Sequence, residues 1–184
     1  MQKFFTVVAF GALLLVFGAG CTKQDNTNEC NGDIYNAKFD QIIRTSSYDD
    51  VKTLMGWDGD NYRIDSISGL KTFYYKWYTC STPKFFIECR FTNGQLTLAN
   101  KTINNGTCGD NINETSFNAL ENNMNYTQIK TILNNAGDNF RNSYNTTNSN
   151  EVHFYRFYQC SNPSRFIEVW FGSNGLAFVI SKNF

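Results

Sequence analysis

The stretch Phe85-Phe86-Ile87-Glu88-Cys89-Arg90-Phe91 returns 80 positions later as Arg165-Phe166-Ile167-Glu168-Val169-Trp170-Phe171. The same spacing joins Tyr75 to Tyr155 and Cys80 to Cys160, and at a spacing of 78 the run Gly59-Asp60-Asn61 returns as Gly137-Asp138-Asn139. A match sustained over this length indicates a duplicated structural unit rather than shared composition. We therefore predict two copies of one small fold, repeat 1 in residues 30–104 and repeat 2 in residues 105–184.

Each repeat begins with the signals of two short helices. In repeat 1, Ser47 followed three residues later by Asp50 is a capping-box pattern, and in repeat 2 the same positions are Asn125 and Gln128. Apolar residues at helical spacing follow both caps, which predicts that one face of the second helix is buried. These residues are Val51, Leu54 and Met55, and Ile129, Ile132 and Leu133.

Strand patterns follow the helices in both repeats. They cover residues 62–67, 73–80, 85–91 and 96–99 in repeat 1, and residues 153–160, 165–171 and 176–180 in repeat 2. The links between them are too short for crossover connections, so the strands should be antiparallel. The predicted fold class is α+β, with two tandem α-α-β-β-β-β repeats that each place two helices on a four-stranded antiparallel sheet.

Period-two alternation separates the two faces of the predicted sheet. Tyr75, Trp77, Ile87 and Phe91 fall on one face and should pack on the helices. The opposite face carries charged residues at the same place in both repeats and should be exposed, because buried charges require partners. Its many aromatic residues favour a protein-binding surface, although loops or the helices of the other repeat are an alternative cover. The candidate binding residues are Tyr74, Lys76, Tyr78, Phe86, Glu88, Arg90, Phe154, Arg156, Tyr158, Phe166, Glu168 and Trp170.

The N-terminus has the pattern of an export signal. Lys3 precedes the apolar residues 4–17, and Gly18-Ala19-Gly20 leads into Cys21. This resembles a bacterial lipobox, which implies that residues 1–20 are a signal peptide and that Cys21 is lipidated; the alternative is an ordinary signal peptide with a coincidental cysteine. Residues 21–29 would form a flexible tether. We expect an exported protein anchored by lipid in the bacterial cell envelope, with the outer membrane as the expected location.

The remaining cysteines have a pairing that the repeat favours. An exported protein lies in a compartment that permits disulfides. Because equivalent cysteines should form equivalent bonds, we predict Cys30–Cys80 and Cys108–Cys160, with Cys89 free since its counterpart is Val169. The main competing arrangement is Cys80–Cys89 across a hairpin.

The sequence gives little support for catalysis, metal binding or nucleic-acid binding. His153, the only histidine, falls on the core-facing side, so we expect it and Cys89 to be buried; a hydrolase using both is the alternative. The segment Asp58-Gly59-Asp60-Asn61 suggests a calcium loop, but it lacks the later ligands of an EF-hand and is interpreted as a helix-ending turn. Acidic and basic residues are balanced at 16 each and are mixed along the chain, which argues against nucleic acid as a partner. No cofactor or metal site is predicted.

Several motifs resemble the β-lactamase-inhibitory protein family. They are Asn36-Ala37-Lys38-Phe39-Asp40-Gln41-Ile42, the capped helix beginning at Tyr48, and the ending Phe166-Ile167-Glu168-Val169-Trp170-Phe171 with Gly175-Leu176. The resemblance spans roughly residues 34–180. It implies tandem repeats whose sheets join into one concave eight-stranded surface that binds a protein. Related single repeats occur in small outer-membrane assembly lipoproteins, so an envelope assembly or scaffold role is the alternative.

The sequence departs from the family at two places. The usual entry to the second helix is replaced by Thr45-Ser46-Ser47 and Asn123-Met124-Asn125. The family's inhibitor inserts an acidic residue from a turn that corresponds here to Ser81-Thr82-Pro83-Lys84, which has no carboxylate. The expected function is therefore non-catalytic binding of a protein partner by an exported lipoprotein, with inhibition of an enzyme as one form of it.

Overall fold

The computed structural model describes residues 36–80, 85–102 and 108–184. The predictions for the signal peptide, Cys21, the tether, Cys30 and the turn at residues 81–84 lie outside the described residues. Among the described residues, no helix is both long and apolar enough to span a membrane.

The chain builds mostly β-structure, with short helices before each set of strands. The first half contains α1 (Asn36–Phe39), α2 (Tyr48–Met55), β1 (Asp60–Ile67), β2 (Leu70–Tyr78), β3 (Phe86–Thr92) and β4 (Gln95–Lys101). The second half contains β5 (Cys108–Gly109), α3 (Glu114–Asn118), α4 (Tyr126–Leu133), β6 (Asp138–Tyr144), β7 (Glu151–Gln159), β8 (Phe166–Gly172) and β9 (Ala177–Asn183). The predicted α+β class agrees with this arrangement.

The strands of the described residues belong to one nine-stranded sheet, in which eight follow the order β1-β2-β3-β4-β6-β7-β8-β9. Neighbours along this order are antiparallel, while the two-residue β5 pairs with β7 in parallel. Strands β4 and β6 join the halves through the pairs Leu98–Ser143, Ala99–Asn142 and Asn100–Arg141. The sheet therefore crosses from one half to the other without interruption.

The predicted capping boxes fix the starts of the two longer helices. The Ser47 hydroxyl accepts from the Asp50 amide and the Asp50 carboxylate accepts from the Ser47 amide, and Asn125 with Gln128 repeats this capping box at α4. Helix α2 ends at Gly56, whose φ of 86° is the left-handed conformation that glycine adopts without strain. The caps satisfy backbone groups that have no partner within a short helix.

The helices pack on one side of the sheet and form two hydrophobic clusters. In the first half Val51 and Met55 of α2 pack with Trp77, Ile87 and Phe91. In the second half the equivalent side chains form a similar group, which comprises Ile129, Leu133, Phe157, Ile167, Val169 and Phe171. The prediction that the face bearing Trp77, Ile87 and Phe91 is the core is confirmed.

The cysteine pattern agrees with the repeat-based prediction wherever it is described. Cys108 and Cys160 form a disulfide with their Cα atoms 4.8 Å apart, which ties β5 to the end of β7. Cys80 is also disulfide-bonded, and its predicted partner Cys30 lies outside the described residues. Cys89 is free and buried, so the competing Cys80–Cys89 pairing is wrong.

Candidate functional site

The predicted binding residues lie side by side on the face of the sheet opposite the helices, which we call the β-face. Each of them lies opposite another predicted residue on the neighbouring strand. The register of β2 with β3 matches that of β7 with β8. The pairs are Tyr74–Arg90, Lys76–Glu88, Tyr78–Phe86, Phe154–Trp170, Arg156–Glu168 and Tyr158–Phe166. Two of the three pairs therefore have the same character in both halves, whereas the cation Arg90 of the first half is replaced by Trp170 in the second.

A glutamate organises the polar contacts in each half of the β-face. Glu168 accepts hydrogen bonds from Arg156 Nε at 2.6 Å and from Trp170 Nε1 at 2.7 Å. Glu88 accepts from Arg90 Nε at 3.2 Å, and Lys76 Nζ lies 4.0 Å from its other oxygen. These contacts fix the orientation of the Trp170 indole, which limits the entropy that a partner would have to remove on binding.

Cationic side chains stack on aromatic rings across both halves. Lys76 Nζ lies 4.1 Å from the centroid of Tyr62 and 4.8 Å from that of Phe86. In the other half, Arg156 Cζ lies 4.6 Å from the centroid of Phe140 and 4.5 Å from that of Phe166. Both cations are thus held between two rings, an arrangement that stabilises a charge at a partly desolvated surface.

Residues of β1 and β6 that were not among the predicted binding residues complete these stacks. Tyr62 and Phe140 are the outer rings, and Arg63 and Arg141 stack on Tyr74 and Phe154 at 4.8 and 5.1 Å. Each pair occupies the same place in the duplicated sequence, so the repeat contained the signal. Phe178 on β9 also joins the β-face, with its ring centroid 6.3 Å from that of Trp170.

Two residues of the predicted set are buried. Tyr158 is 3% exposed and Glu88 is 7% exposed, so the expectation that both lie open to solvent is wrong. The cause is mutual cover: the Tyr158 ring packs on Phe166 with centroids 5.9 Å apart, and Glu88 lies beneath Lys76 and Arg90. The other predicted residues are half-buried.

Three groups on the β-face, Tyr62, Tyr74 and Asp65, have pKa values shifted away from neutral pH. Burial and a hydrogen bond with Glu88 raise the pKa of Tyr62 to about 12, and a hydrogen bond to Asp65 raises the pKa of Tyr74. Hydrogen bonds from Arg63 and Tyr74 lower the pKa of Asp65. The face therefore presents protonated phenols and an ionised carboxylate over a broad pH range.

The two candidate catalytic residues lie in different environments. Cys89 is fully buried in the first hydrophobic cluster, and burial raises the pKa of its thiol well above the usual value, which disfavours the nucleophilic thiolate. His153 was expected to be buried, but its side chain is 31% exposed. Its Nδ1 lies 2.8 Å from Asn142 Oδ1 and its Nε2 lies 3.3 Å from Glu151 Oε1. Its environment is a cleft on the helix side of the sheet, and Cys89 does not line that cleft.

The Asp58–Asp60 turn has a structural partner. Asp58 forms an ion pair with Lys52 of α2 at 2.5 Å, and Gly59 with φ of 73° leads into β1. Within the described parts of the chain, no three histidine, cysteine or acidic residues are grouped so that they could hold a metal ion.

Comparison with known proteins identifies the family. The family model described as Beta-lactamase inhibitor (BLIP) matches residues 36–159. The chain belongs to the BLIP family. The BLIP fold is also found in the crystal structure of a candidate beta-lactamase inhibitor protein from Streptococcus mutans, which is 16% identical, with a TM-score of 0.56 over 80% of this chain and 93% of that chain. At this identity the similarity is evidence for the fold alone. No curated protein sequence matches this BLIP-family chain significantly.

Proposed function

We propose that the protein binds a protein partner through the β-face and does so without catalysis. The observation that carries the proposal is the doubled set of preoriented aromatic and cationic side chains on a sheet face opposite the helices. Tryptophan, tyrosine and arginine are the residue types that dominate binding energy at protein interfaces. Because the family is named for β-lactamase inhibition, a β-lactamase is the first partner to test.

Trp170 is the proposed central anchor. Its ring packs on Phe154 with centroids 4.9 Å apart, and its indole is held by Glu168, so it is rigid and half-buried before any partner arrives. Truncating such an anchor typically weakens a complex by about 2 kcal/mol, which corresponds to roughly a 30-fold increase in Kd. Tyr158 is unsuitable for the same test, because its burial means that Tyr158→Ala would perturb the fold.

The test measures binding of purified β-lactamases to the immobilised protein, followed by inhibition of the enzyme. We expect Trp170→Ala to raise Kd by about the factor given above. Ile64→Ala is the matched control, since Ile64 is 58% exposed and pairs with Phe73 on the other face of the sheet. Equal affinity of wild type and Trp170→Ala would place the site elsewhere, and residues 81–84 and 161–164 would be tested next. Absence of binding to any β-lactamase would reject that partner class.

We also propose that the two halves are tandem repeats, joined at β4 and β6 into one concave surface. The support is the shared register, including a bulge between Asn61 and Arg63 in β1 and another between Asn139 and Arg141 in β6. An experimental structure in which residues 36–101 fail to superpose on residues 114–182 would contradict this proposal.

We propose further that the protein is exported and lipid-anchored at Cys21. The apolar run and the Gly18-Ala19-Gly20-Cys21 sequence support this. Intact-mass analysis of the membrane-extracted protein should find a chain that begins at a lipidated Cys21, and Cys21→Ser should release it from the membrane. An unmodified N-terminus would reject the proposal.

A further inference from the structure

A cleft of about 600 Å³ lies on the helix side of the sheet, where the two halves meet. Asp40 and Ile42 of the first half line one side, and Tyr126 and Tyr155 of the second half line the other. Its volume falls in the range of small-molecule sites. The cleft is separate from the β-face, which occupies the opposite side of the sheet.

The cleft contains a buried ion pair with one oxygen left over. Lys101 Nζ lies 2.6 Å from Asp138 Oδ1, and both side chains are almost fully buried, at 2% and 7% exposure. Asp138 Oδ2 is buried and has no hydrogen-bond partner, and the same is true of Asn139 Oδ1. Among the described residues lining the cleft, these are the buried side-chain atoms without a partner, and both are acceptors. A buried polar atom without a partner costs free energy, so a hydrogen-bond donor that reaches these oxygens through a small movement of the lining side chains should be favoured here.

Two hydroxyl donors in the walls, those of Tyr126 and Tyr144, already have partners. Tyr126 donates to the Ala136 carbonyl at 2.8 Å, and Tyr144 donates to the Ile42 carbonyl at 3.0 Å. Tyr126 and Tyr144 are therefore held in place, and the rings of Tyr126 and Tyr155 lie with their centroids 5.1 Å apart. Such rings suit the flat apolar body of a ligand and the charge of a cation.

The charge of the cleft also favours a cation. Its carboxylates are Asp40, Asp138 and Glu151, and its permanent cations are Lys101 and Arg44. Three carboxylates against two cations give these five groups a net charge of −1.

The fold does not require an aspartate to be buried at this position. Asp60, which is the repeat equivalent of Asp138 and also begins its strand, is exposed on the edge strand β1. The same Gly-Asp-Asn turn thus forms with the carboxylate in water. Burial of Asp138 comes from the junction of the halves, which also builds the cleft.

We propose that this cleft binds a small organic cation, whose protonated nitrogen donates hydrogen bonds to Asp138 Oδ2 and Asn139 Oδ1 and whose body lies against Tyr126 and Tyr155. A metal ion fits less well, because the Lys101 ammonium already occupies Asp138 and no group of metal ligands occurs in the described residues. An amidinium or ammonium supplies the charge and several donors at once.

The test uses benzamidine as the cation and benzamide as its uncharged analogue of nearly the same shape. Calorimetric titration of the mature full-length protein should give saturable binding of benzamidine and at least about tenfold weaker binding of benzamide. His153 lines the cleft and is the only histidine in the chain, so its imidazole proton signals should shift on binding. No benzamidine binding, equal binding of benzamide, or saturable binding without a shift of the His153 signals would overturn the proposal.

Variants locate the site. The double variant Lys101→Met/Asp138→Leu replaces the buried pair by apolar side chains of similar size, a change that is often tolerated, and should abolish benzamidine binding. Asp40→Asn at the exposed side of the cleft carries little risk to the fold and should weaken binding severalfold. Asp60→Asn is the matched control for Asp138 and should leave the affinity unchanged. Two results would overturn the proposal. One is full retention of binding in both Asp40→Asn and the double variant. The other is full retention of binding in Asp40→Asn when the double variant does not fold. Trp170→Ala should leave the affinity for benzamidine unchanged, and this result would distinguish the cleft from the β-face.

Discussion

Replacing Gly137 by alanine should destabilise the protein more than an ordinary glycine substitution. Gly137 has φ of 66°, and a Cβ placed on it would lie 2.7 Å from Cε1 of Phe157, whose side chain is fully buried. The left-handed backbone costs a residue with a Cβ roughly 1–2 kcal/mol. Forcing extra volume against a packed core ring adds about 1–3 kcal/mol. The expected loss in the free energy of unfolding is therefore about 2–5 kcal/mol.

Gly175→Ala is the matched control for this prediction. Gly175 has φ of 73°, but nothing lies within 4 Å of the position that a Cβ would occupy there, so the expected loss is the backbone cost alone. Urea denaturation of wild type and both variants, with equal m-values, measures the difference. Gly59→Ala should behave like Gly137→Ala, because its Cβ would lie 2.6 Å from the Trp77 ring. If Gly137→Ala lost no more stability than Gly175→Ala, close glycine–aromatic packing would not be a requirement of the fold.

Other variants test further contacts. Cys108→Ser/Cys160→Ser removes a crosslink between residues 52 apart and should cost about 4 kcal/mol by chain entropy, measured by denaturation; a loss below about 1 kcal/mol would contradict this. Asn125→Ala removes the capping box of α4 and should cost about 1 kcal/mol, whereas an unchanged melting temperature would show that packing alone holds the helix. Burial, followed by the nearby Tyr126 and Asp40, raises the pKa of Tyr155 to about 12. Since an unfolded tyrosine ionises near 10, the contribution of Tyr155 to stability is complete below pH 10 and is lost as pH rises towards 12. Tyr155→Phe should reduce the alkaline loss of stability, and an identical pH profile would refute this.

The elements were predictable where local chemistry alone determines them. The capping boxes at Ser47 and Asn125 mark helix starts in both halves, and alternation along β2, β3, β7 and β8 assigns their faces correctly. The two-residue strand β5 was not predicted, because it is too short to show alternation and is held by pairing with β7 and by the Cys108–Cys160 bond.

Exposure on the β-face was predicted less well than its composition. Alternation states which side of the sheet a residue lies on, but not how far neighbouring side chains cover one another. Long cationic and aromatic side chains lie flat along the face, and so Tyr158 and Glu88 are buried by residues of their own surface. Duplication within the sequence could have identified the outer rings Tyr62 and Phe140, which are equivalent positions beside the predicted pairs.

The cleft shows what a duplicated sequence leaves unspecified. Asp60 and Asp138 have the same neighbours in sequence, and each follows a glycine of positive φ, yet one is exposed and the other is buried against Lys101. The difference arises because β1 is an edge strand whereas β6 lies beside β4, so only the second aspartate faces another half of the molecule. Repeat equivalence therefore predicts secondary structure and the β-face, which each half builds from its own strands. It does not predict the ion pair and unsatisfied oxygens at the junction, since these depend on contacts that have no counterpart in the other half.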